Sequence, residues 1–331
     1  MTELDDCIKE LKESPLYQMT SSSMENSHSD FWCWMLNKFG TEILSIFTTP
    51  YADETIEEVH RELHHFDLYI KTNKRFIILE NKMKSFYNIE QIKNYSEKLK
   101  KQKEIISPLC LIITYFQDDI NIKDTNWKHL TYESIYNKLN SITNQNLYIN
   151  EYKNVLNNLL IIKNKMNELN KNIYENGLSD FCTKLKEIRI NDIYQKYKAS
   201  ELKNYLQEKL KDNNNLSFEE YFISGNGVTT VCFNKNGFIY YIQLQGSKYY
   251  RTIEKQDMQT KIGQDEETWC YLDEEEKNAS DMKDKDKFNT FEKGKYICRH
   301  FNINKYFNKQ DVSYDDLLNK IKCDLNEKCN P

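Results

Sequence analysis

FDLYIKTNKRFIILENKMKSFYNIEQIKNY, residues 66–95, is the stretch that decides the fold of the first part of this chain. Residues 66–70 alternate apolar and polar side chains, and residues 75–82 begin with an apolar run of strand length, so both are predicted to be strands. Asn73 lies at the centre of a Thr-Asn-Lys sequence that is typical of a tight turn. A helix is predicted to follow, with Asn88 as its cap.

Charged side chains of chemical interest are concentrated on this predicted hairpin. Glu80 and Lys82 are two positions apart, so on a strand both point to one face, and Asn81 points to the other. The hairpin is expected to bring the carboxylate of Asp67 beside that of Glu80. Two carboxylates next to a lysine can hold a hard divalent cation, with the lysine orienting a water molecule for attack.

The spacing of Asp67, Glu80-x-Lys82 and Gln91-x-x-x-Tyr95 resembles the PD-(D/E)XK nuclease superfamily, which has the restriction-endonuclease-like fold. Two further segments, ENSHSDFWCWML and HLTYESIYNKL, are similar to prokaryotic members found near mobile elements and phage-defence genes. The chain departs from the family pattern in having phenylalanine where a proline often precedes the aspartate. The resemblance covers residues 20–140 and is silent on the rest.

The resemblance implies an α/β fold with a restriction-endonuclease-like core, of order αβββαβ with a mixed central sheet flanked by helices, in residues 1–145. Beyond it, apolar residues at helical spacing predict a helical segment over residues 146–212. A smaller α+β domain, for recognition or regulation, is expected over residues 213–331, where Asn236-Gly237 is a strong hairpin signal.

The resemblance also implies which residues bind metal. Asp67, Glu80 and the backbone carbonyl of Asn81 would hold Mg²⁺, for which Mn²⁺ would substitute. Lys82 would position the attacking water. Glu25, on the first core helix, would complete a second metal site. Alternatively, Glu25 is a glutamate favoured at a helix start by the helix dipole.

Two residues of the predicted helix are assigned supporting catalytic roles by the same resemblance. Gln91 would orient the lysine or a phosphate oxygen, and Tyr95 would support that arrangement. They are four positions apart and therefore share one helix face. An ordinary polar helix face is the alternative interpretation.

The resemblance and these residues together predict a Mg²⁺-dependent nuclease, an endo- or exonuclease that hydrolyses phosphodiester bonds, and the resemblance alone implies a role in phage or mobile-element defence. DNA is favoured over RNA as its substrate, and a homo-oligomer or a partner protein of a defence system is also considered. One alternative is a non-catalytic module of the same fold that binds nucleic acid or a protein. Another is a sequence-specific restriction endonuclease.

Charge is unevenly distributed along the chain, whose net charge is −5. Residues 71–103 hold ten basic and three acidic side chains, which either contact nucleic acid, with Lys84 and Lys93 as candidates, or form a solvated helix face. Lys248 and Arg251 flank two tyrosines, a pattern that suits stacking on bases and phosphate contact, or else an exposed strand end. Residues 264–287, with ten acidic and four basic side chains, predict a solvated loop.

Cysteine usage and hydropathy indicate a cytoplasmic protein without a membrane span. The nine cysteines contain no C-x-x-C pair, which argues against a structural zinc site and for free thiols. The chain starts with no secretory signal, and no apolar run approaches the roughly 20 residues that a spanning helix needs.

Overall fold

The chain folds as two compact units, Met1–Met166 (unit 1) and Asn167–Pro331 (unit 2). Both units combine helices with β-sheet, so the α/β class expected from the sequence is confirmed. The predicted cap Asn88 lies outside the described residues. The computed structural model describes residues 3–19, 24–85, 89–102, 105, 107–116, 120, 122–123, 125–143, 146–168, 173–174, 180–223, 226–256, 268–280, 289–291, 296–309 and 311–329.

Unit 1 is built on a mixed five-stranded sheet in the order β1-β2-β3-β4-β5. The first three strands are antiparallel neighbours, and β3, β4 and β5 run parallel. Its strands are β1 (Ile56–Arg61), β2 (Leu68–Thr72), β3 (Phe76–Lys82), β4 (Leu109–Thr114) and β5 (Trp127–Thr131). Its helices are α1 (Glu3–Glu13), α2 (Pro15–Met19), α3 (Met24–Phe39), α4 (Thr41–Leu44), α5 (Ile89–Lys101), α6 (Tyr132–Asn140) and α7 (Leu147–Glu168).

The predicted hairpin forms, and its register determines where the candidate site residues lie. Leu68 pairs with Leu79, so Asp67, which directly precedes β2, lies at the level of Glu80 near the end of β3. The chain then crosses over through α5 and returns as β4 in the parallel direction, as a crossover helix requires. The start of β2 and the end of β3 therefore meet at one edge of the sheet.

The two faces of the sheet bury different side chains. On one face, Ile92, Tyr95 and Leu99 of α5 pack against a cluster that includes Ile78 and Ile112. The same alternation brings Glu80 and Lys82 to the α5 face, because they are two and four positions after Ile78. Asn81 points the other way, towards α3 and α6.

The helical segment predicted at residues 146–212 is divided between the two units. Its first helix, α7, belongs to unit 1. There the Tyr152 hydroxyl is hydrogen-bonded to His28, and the Leu159 carbonyl accepts a hydrogen bond from the Tyr115 hydroxyl. The following helices, α8 (Asp180–Glu187) and α9 (Asn191–Lys209), belong to unit 2. Apolar periodicity predicted these three helices, but Ile173–Tyr174, inside the predicted helical segment, form a short strand that pairs with Val312–Ser313. Periodicity also contains no information on which sheet each helix covers.

Unit 2 is built on a six-stranded antiparallel sheet in the order β11-β12-β10-β9-β8-β7, with a separate two-stranded β6-β13 pair. Its strands are β6 (Ile173–Tyr174), β7 (Leu216–Ile223), β8 (Asn226–Lys235), β9 (Phe238–Gln245), β10 (Lys248–Lys255), β11 (Asn289–Phe291), β12 (Tyr296–Asn302) and β13 (Val312–Ser313). Its remaining helices are α10 (Glu274–Ala279), α11 (Ile303–Phe307) and α12 (Tyr314–Cys329).

Two short-range features organise the unit 2 sheet. The turn between β8 and β9 has positive φ at both Asn236 (53°) and Gly237 (79°), the conformation of the predicted tight hairpin. Gly227 of β8 lies directly against α9: a Cβ atom there would be 2.1 Å from the carbonyl oxygen of Gln195. A side chain at this position would force α9 away from the sheet.

The acidic stretch of residues 264–287 is not the solvated loop that its composition predicts, as far as the structure describes it. Within it, Trp269, Cys270 and Glu276 are buried. Asp273 caps α10 by accepting a hydrogen bond from the backbone of Glu276. For residues 268–280 the prediction was wrong, because composition does not reveal distant partners, in this case Arg251, that neutralise a buried acid. Residues 264–267 and 281–287 lie outside the described residues.

Among the helices that the structure describes, none combines the length and the apolar character that crossing a bilayer requires.

Candidate functional site

Asp67, Glu80 and Lys82 come together at the edge of the unit 1 sheet where β2 begins and β3 ends. Glu80 and Lys82 are only 3% and 7% exposed, and Lys82 Nζ lies 2.6 Å from Glu80 Oε1. Asp67 is near enough to affect the pKa of both. The three residues singled out from the sequence thus form one buried polar cluster on the α5 side of the sheet.

The two carboxylate oxygens of Glu80 have very different surroundings. Oε1 accepts hydrogen bonds from Lys82 (2.6 Å), from Gln91 Nε2 (3.3 Å) and from the hydroxyl of Tyr95 (3.4 Å). Oε2 is buried and has no hydrogen-bond partner among the described residues. Three donors therefore hold Oε1 in place, and Oε2 is left as a buried acceptor without a donor in the described part of the chain.

Gln91 and Tyr95 act on this cluster from α5, as their shared helix face predicted. Gln91 Nε2 also donates to the Tyr95 hydroxyl oxygen at 2.9 Å, so the two side chains orient each other. The interpretation as an ordinary polar helix face does not describe them, because Tyr95 is buried and both contact Glu80.

Asp67 is held by the backbone of the neighbouring strand and by an arginine. Its Oδ2 accepts a hydrogen bond of 2.6 Å from the backbone N–H of Asn81. Its carbonyl accepts a hydrogen bond from Arg61, whose Nε also donates to Asp30 at 2.6 Å. Asp67 therefore lies beside the backbone of Asn81, whose carbonyl is the third ligand that the sequence analysis assigned.

Burial raises the pKa of two carboxyl groups at this site, those of Glu80 and Asp67. Burial raises the pKa of Glu80 to about 7, helped by Asp67 and Glu25 and opposed by Lys82. Burial also raises the pKa of Asp67, although the bond from Asn81 and the Lys82 charge oppose it. For Lys82, burial acts to lower the pKa, but the Glu80 charge outweighs it and the net shift is upward. The cluster would accommodate additional positive charge.

Asn81 anchors the end of β3 from the opposite face. Its side-chain amide donates to the carbonyl of Glu25 (3.0 Å) and to Ser29 Oγ (3.1 Å), both on α3. Its Oδ1 accepts a hydrogen bond of 2.8 Å from Tyr132 at the start of α6. This network fixes the strand residue between Glu80 and Lys82. Sequence analysis missed Tyr132, whose only signal was its place in the HLTYES segment.

Glu25 lies beside the loop that follows β3. Its Oε1 accepts hydrogen bonds from the backbone of Lys84 (2.8 Å), the backbone of Ser85 (2.7 Å) and the Ser85 hydroxyl (2.7 Å). Its charge also raises the pKa of Asp67 and Glu80. The structure therefore brings Glu25 to the cluster, where one of its oxygens already holds the loop.

The donors present fit a hard divalent cation only in part. Among the described residues, no three His, Cys, Asp or Glu side chains are grouped closely enough to enclose a metal ion by themselves. Carboxylate oxygens are nevertheless the ligands that Mg²⁺ prefers, and Glu80 Oε2 is a buried acceptor without a donor. Such an ion would take most of its coordination sphere from water and a phosphate.

Of the four predicted nucleic-acid contacts, three remain predictions and one is corrected. Lys93 is exposed on α5, and Lys84 and Lys248 are partly exposed, so these three remain predictions. Arg251 is only 1% exposed and its guanidinium is bonded to Glu276 and Asp324. The prediction for Arg251 is therefore corrected, because strand alternation turns this side chain into the core of unit 2.

Comparison of this chain with protein-family models, with curated proteins and with solved structures finds no match in any of the three.

Proposed function

We propose that unit 1 is a metal-dependent nuclease with a restriction-endonuclease-like core, acting on phosphodiester bonds, with DNA favoured over RNA. The observation that carries the proposal is the divided carboxylate of Glu80, with three donors on Oε1 and none on the buried Oε2 among the described residues. Burying an unpaired carboxylate oxygen costs free energy, and such a cost is tolerated where a ligand supplies the missing partner.

The order of elements supports the same proposal. α3, β1, β2, β3, α5 and β4 follow one another as helix, three strands, helix and strand, around a mixed sheet. Asp67 directly precedes β2 and Glu80-x-Lys82 lies at the end of β3, which supports the proposal. The site is therefore assembled from two adjacent strands and the helix that follows them.

Each residue has a role that its contacts allow. Asp67, Glu80 and the Asn81 carbonyl would hold Mg²⁺ or Mn²⁺, with Glu25 alongside. The chemistry that such an ion supplies when bound is Lewis-acid stabilisation of charge on the phosphate. Lys82 donates from its ammonium group, and it would position the attacking water and stabilise developing negative charge.

Supporting residues keep this arrangement in place. Gln91 and Tyr95 hold Oε1 of Glu80, so the carboxylate cannot rotate freely when Lys82 turns towards a substrate. The side chain of Asn81, bonded to α3 and α6, keeps Glu80 and Lys82 on the α5 face. Phage or mobile-element defence is the biological role we propose for this activity.

A cleavage assay with matched variants tests the proposal. The full chain is incubated with plasmid, single-stranded DNA and RNA, with Mg²⁺, with Mn²⁺ and with a chelator. Asp67→Asn, Glu80→Gln and Lys82→Met should each reduce cleavage by at least about 100-fold, because each removes an interaction with the reacting phosphate or its metal. Denaturant unfolding of each variant shows whether it remains folded.

Glu54→Gln provides the control. Glu54 is buried at the end of the unit 1 sheet opposite the candidate site, where its carboxylate pairs with Arg75 at 2.9 Å. Its substitution should lower stability and leave cleavage by the folded protein unchanged. Equal cleavage by wild type and Asp67→Asn would indicate a contaminating nuclease. Binding of nucleic acid without cleavage would favour a non-catalytic module, and discrete fragments would favour a restriction endonuclease.

A further inference from the structure

A groove lies on the face of the unit 2 sheet that is turned away from its core. Ile242, Tyr249 and Ile253 point into the core, so strand alternation sends their neighbours Gln243 and Tyr250 to the opposite face. On that face the sheet lines a groove of about 460 Å³. The groove is separate from the site of unit 1, and nothing in the proposed nuclease reaction uses it.

Tyrosines and acids dominate the lining of this groove. Four tyrosines come from four different strands: Tyr221 from β7, Tyr241 from β9, Tyr250 from β10 and Tyr296 from β12. Two glutamates, Glu219 and Glu254, also line it. No lysine or arginine does so in the part of the chain that the structure describes. The groove therefore carries negative charge and aromatic surface.

Two hydrogen bonds link side chains within the groove. Gln243 donates its amide to the Tyr221 hydroxyl oxygen at 2.5 Å, and the Tyr241 hydroxyl donates to Glu254 at 2.7 Å. Burial, reinforced by neighbouring carboxylates, raises the pKa of both tyrosines, so the phenols remain neutral. The ionised carboxylates of Glu219 and Glu254 can only accept hydrogen bonds, so a cationic ligand with N–H donors matches them.

Thr230 adds an independent sign that the groove has an occupant. Its side chain lines the groove, it is 1% exposed, and Oγ1 has no hydrogen-bond partner of good geometry among the described residues. The Thr230 hydroxyl lies near the Tyr221 hydroxyl and moderates the rise in the pKa of that phenol. A buried hydroxyl without a partner costs free energy that a bound donor or acceptor would recover.

We propose that this groove binds a small organic cation of the alkylammonium or guanidinium class. Aromatic faces attract cations through their quadrupole, and guanidinium or ammonium groups satisfy several oxygen acceptors at once. Glu219 and Glu254 provide charge complementarity, and they repel phosphates and carboxylates. Thr230 Oγ1 accepts from the cation at the floor of the groove.

Calorimetric titration of the full chain tests this assignment. Agmatine, which carries both a guanidinium and an amine, is the probe, and 1,4-butanediol and succinate serve as neutral and anionic comparisons. We expect agmatine to bind with one-to-one stoichiometry and the comparison compounds to bind at least about tenfold more weakly, since each charge-assisted contact contributes of that order.

Two variants locate the binding site. Glu254→Gln removes the charge and should weaken agmatine binding about tenfold. Thr230→Val removes only the hydroxyl: it should weaken binding several-fold and at the same time raise the midpoint of denaturant unfolding, because an unpartnered buried hydroxyl is lost. A purely structural Thr230 would change stability without changing affinity.

Glu274→Gln is the matched control, because this carboxylate is 86% exposed on α10 and does not line the groove. It should leave agmatine affinity unchanged. The proposal is overturned if agmatine does not bind, if succinate or an oligonucleotide binds at the groove equally well, or if Glu274→Gln has the effect of Glu254→Gln. A dimer that dissociates on Glu254→Gln would assign the groove to self-association. Cleavage activity plays no part in these measurements, so they stand apart from the nuclease proposal.

Discussion

The buried charge cluster around Arg251 in unit 2 and the candidate site of unit 1 differ in whether every carboxylate oxygen has a hydrogen-bond partner. Arg251 donates to both oxygens of Glu276 at 2.6 Å and to both oxygens of Asp324 at 3.1–3.2 Å. Lys320 bonds to the same two acids at 2.7 and 2.6 Å. The Tyr249 hydroxyl adds a bond of 2.7 Å to Asp324. Two cations thus balance two acids, and all four carboxylate oxygens have partners.

In unit 1 the balance is different. A single ammonium, that of Lys82, lies among the carboxylates of Asp67, Glu80 and Glu25, and Oε2 of Glu80 has no partner among the described residues. The pKa values follow: that of Glu276 is lowered to about 2, because bonds and charges of Arg251 and Lys320 outweigh its burial, whereas that of Glu80 is raised to about 7. A cluster whose carboxylate oxygens are all bonded stabilises a fold, and one with an unpartnered carboxylate oxygen is suited to receive a ligand.

Removing the central cation of unit 2 should have the largest effect. Arg251→Met leaves two buried carboxylates without their main partner, and we expect the free energy of unfolding of unit 2 to fall by about 3–5 kcal/mol. Hydrogen exchange of β9 and β10 measures this change. Lys248→Met, on the same strand, is the control and should change stability by no more than about 0.5 kcal/mol. If Arg251→Met and Lys248→Met lower the stability equally, the bonds of Arg251 to Glu276 and Asp324 do not stabilise unit 2 in the way described.

The two clusters should respond to pH in opposite directions. The folded pKa of Glu80, about 7, lies above its ordinary value of 4.5, so its contribution to stability is present below pH 4.5 and is lost as pH rises through about 7. The shift corresponds to about 3 kcal/mol of unit 1 stability in metal-free protein. For Glu276, the folded pKa is about 2, so its contribution is present above pH 4.5 and is lost only as pH falls through about 2.

Hydrogen exchange at pH 5 and pH 8, corrected for the intrinsic exchange rate, reports the pH response of each unit in the same sample. We expect β3 to become less protected at pH 8, and β10 to be unchanged. Glu80→Gln should abolish the pH dependence of β3. If the variant and the wild type show the same dependence, another group is responsible.

Divalent cations should stabilise unit 1 alone. At a Mg²⁺ or Mn²⁺ concentration ten times the dissociation constant, binding to the folded state adds about 1.4 kcal/mol. Protection of β2 and β3 should increase accordingly, and that of the unit 2 sheet should not. Asp67→Asn should remove the response. Equal stabilisation of both units would indicate non-specific binding.

The smallest expected effect concerns the support behind the site. Tyr132→Phe removes the donor to Asn81 Oδ1, so the free energy of unfolding of unit 1 should fall by about 1 kcal/mol. Urea unfolding measures it. Tyr148→Phe is the control, because Tyr148 is 56% exposed, and it should have almost no effect. If Tyr132→Phe leaves the free energy of unfolding unchanged, water replaces the phenol hydroxyl as the donor to Asn81.

Local patterns predicted the parts of this fold that depend on neighbouring residues. The β2–β3 hairpin follows from alternation and a turn. The Asn236-Gly237 turn forms because both residues tolerate positive φ. The proximity of Asp67, Glu80 and Lys82 also follows from hairpin geometry alone.

Other features could not be predicted because they depend on residues far apart in the sequence. Arg251 looked like a phosphate contact, and Glu276 like part of a solvated acidic run, but each is buried because it partners the other. The division of the predicted helical segment between the units has the same origin. At the candidate site, the unequal surroundings of the two Glu80 oxygens depend on side-chain rotamers, which no spacing of letters specifies.

The alternation of Glu80, Asn81 and Lys82 has a consequence for how unit 1 assembles. If β3 paired one position out of register, Asn81 would face α5, and two charged groups would be driven into the contact with Ser29 and Tyr132. Such an arrangement would bury an ion pair against Ser29 and Tyr132, which now bond the amide of Asn81, so it would be less stable than the observed register. The tripeptide thereby favours the observed strand alignment, whatever it later does for a substrate.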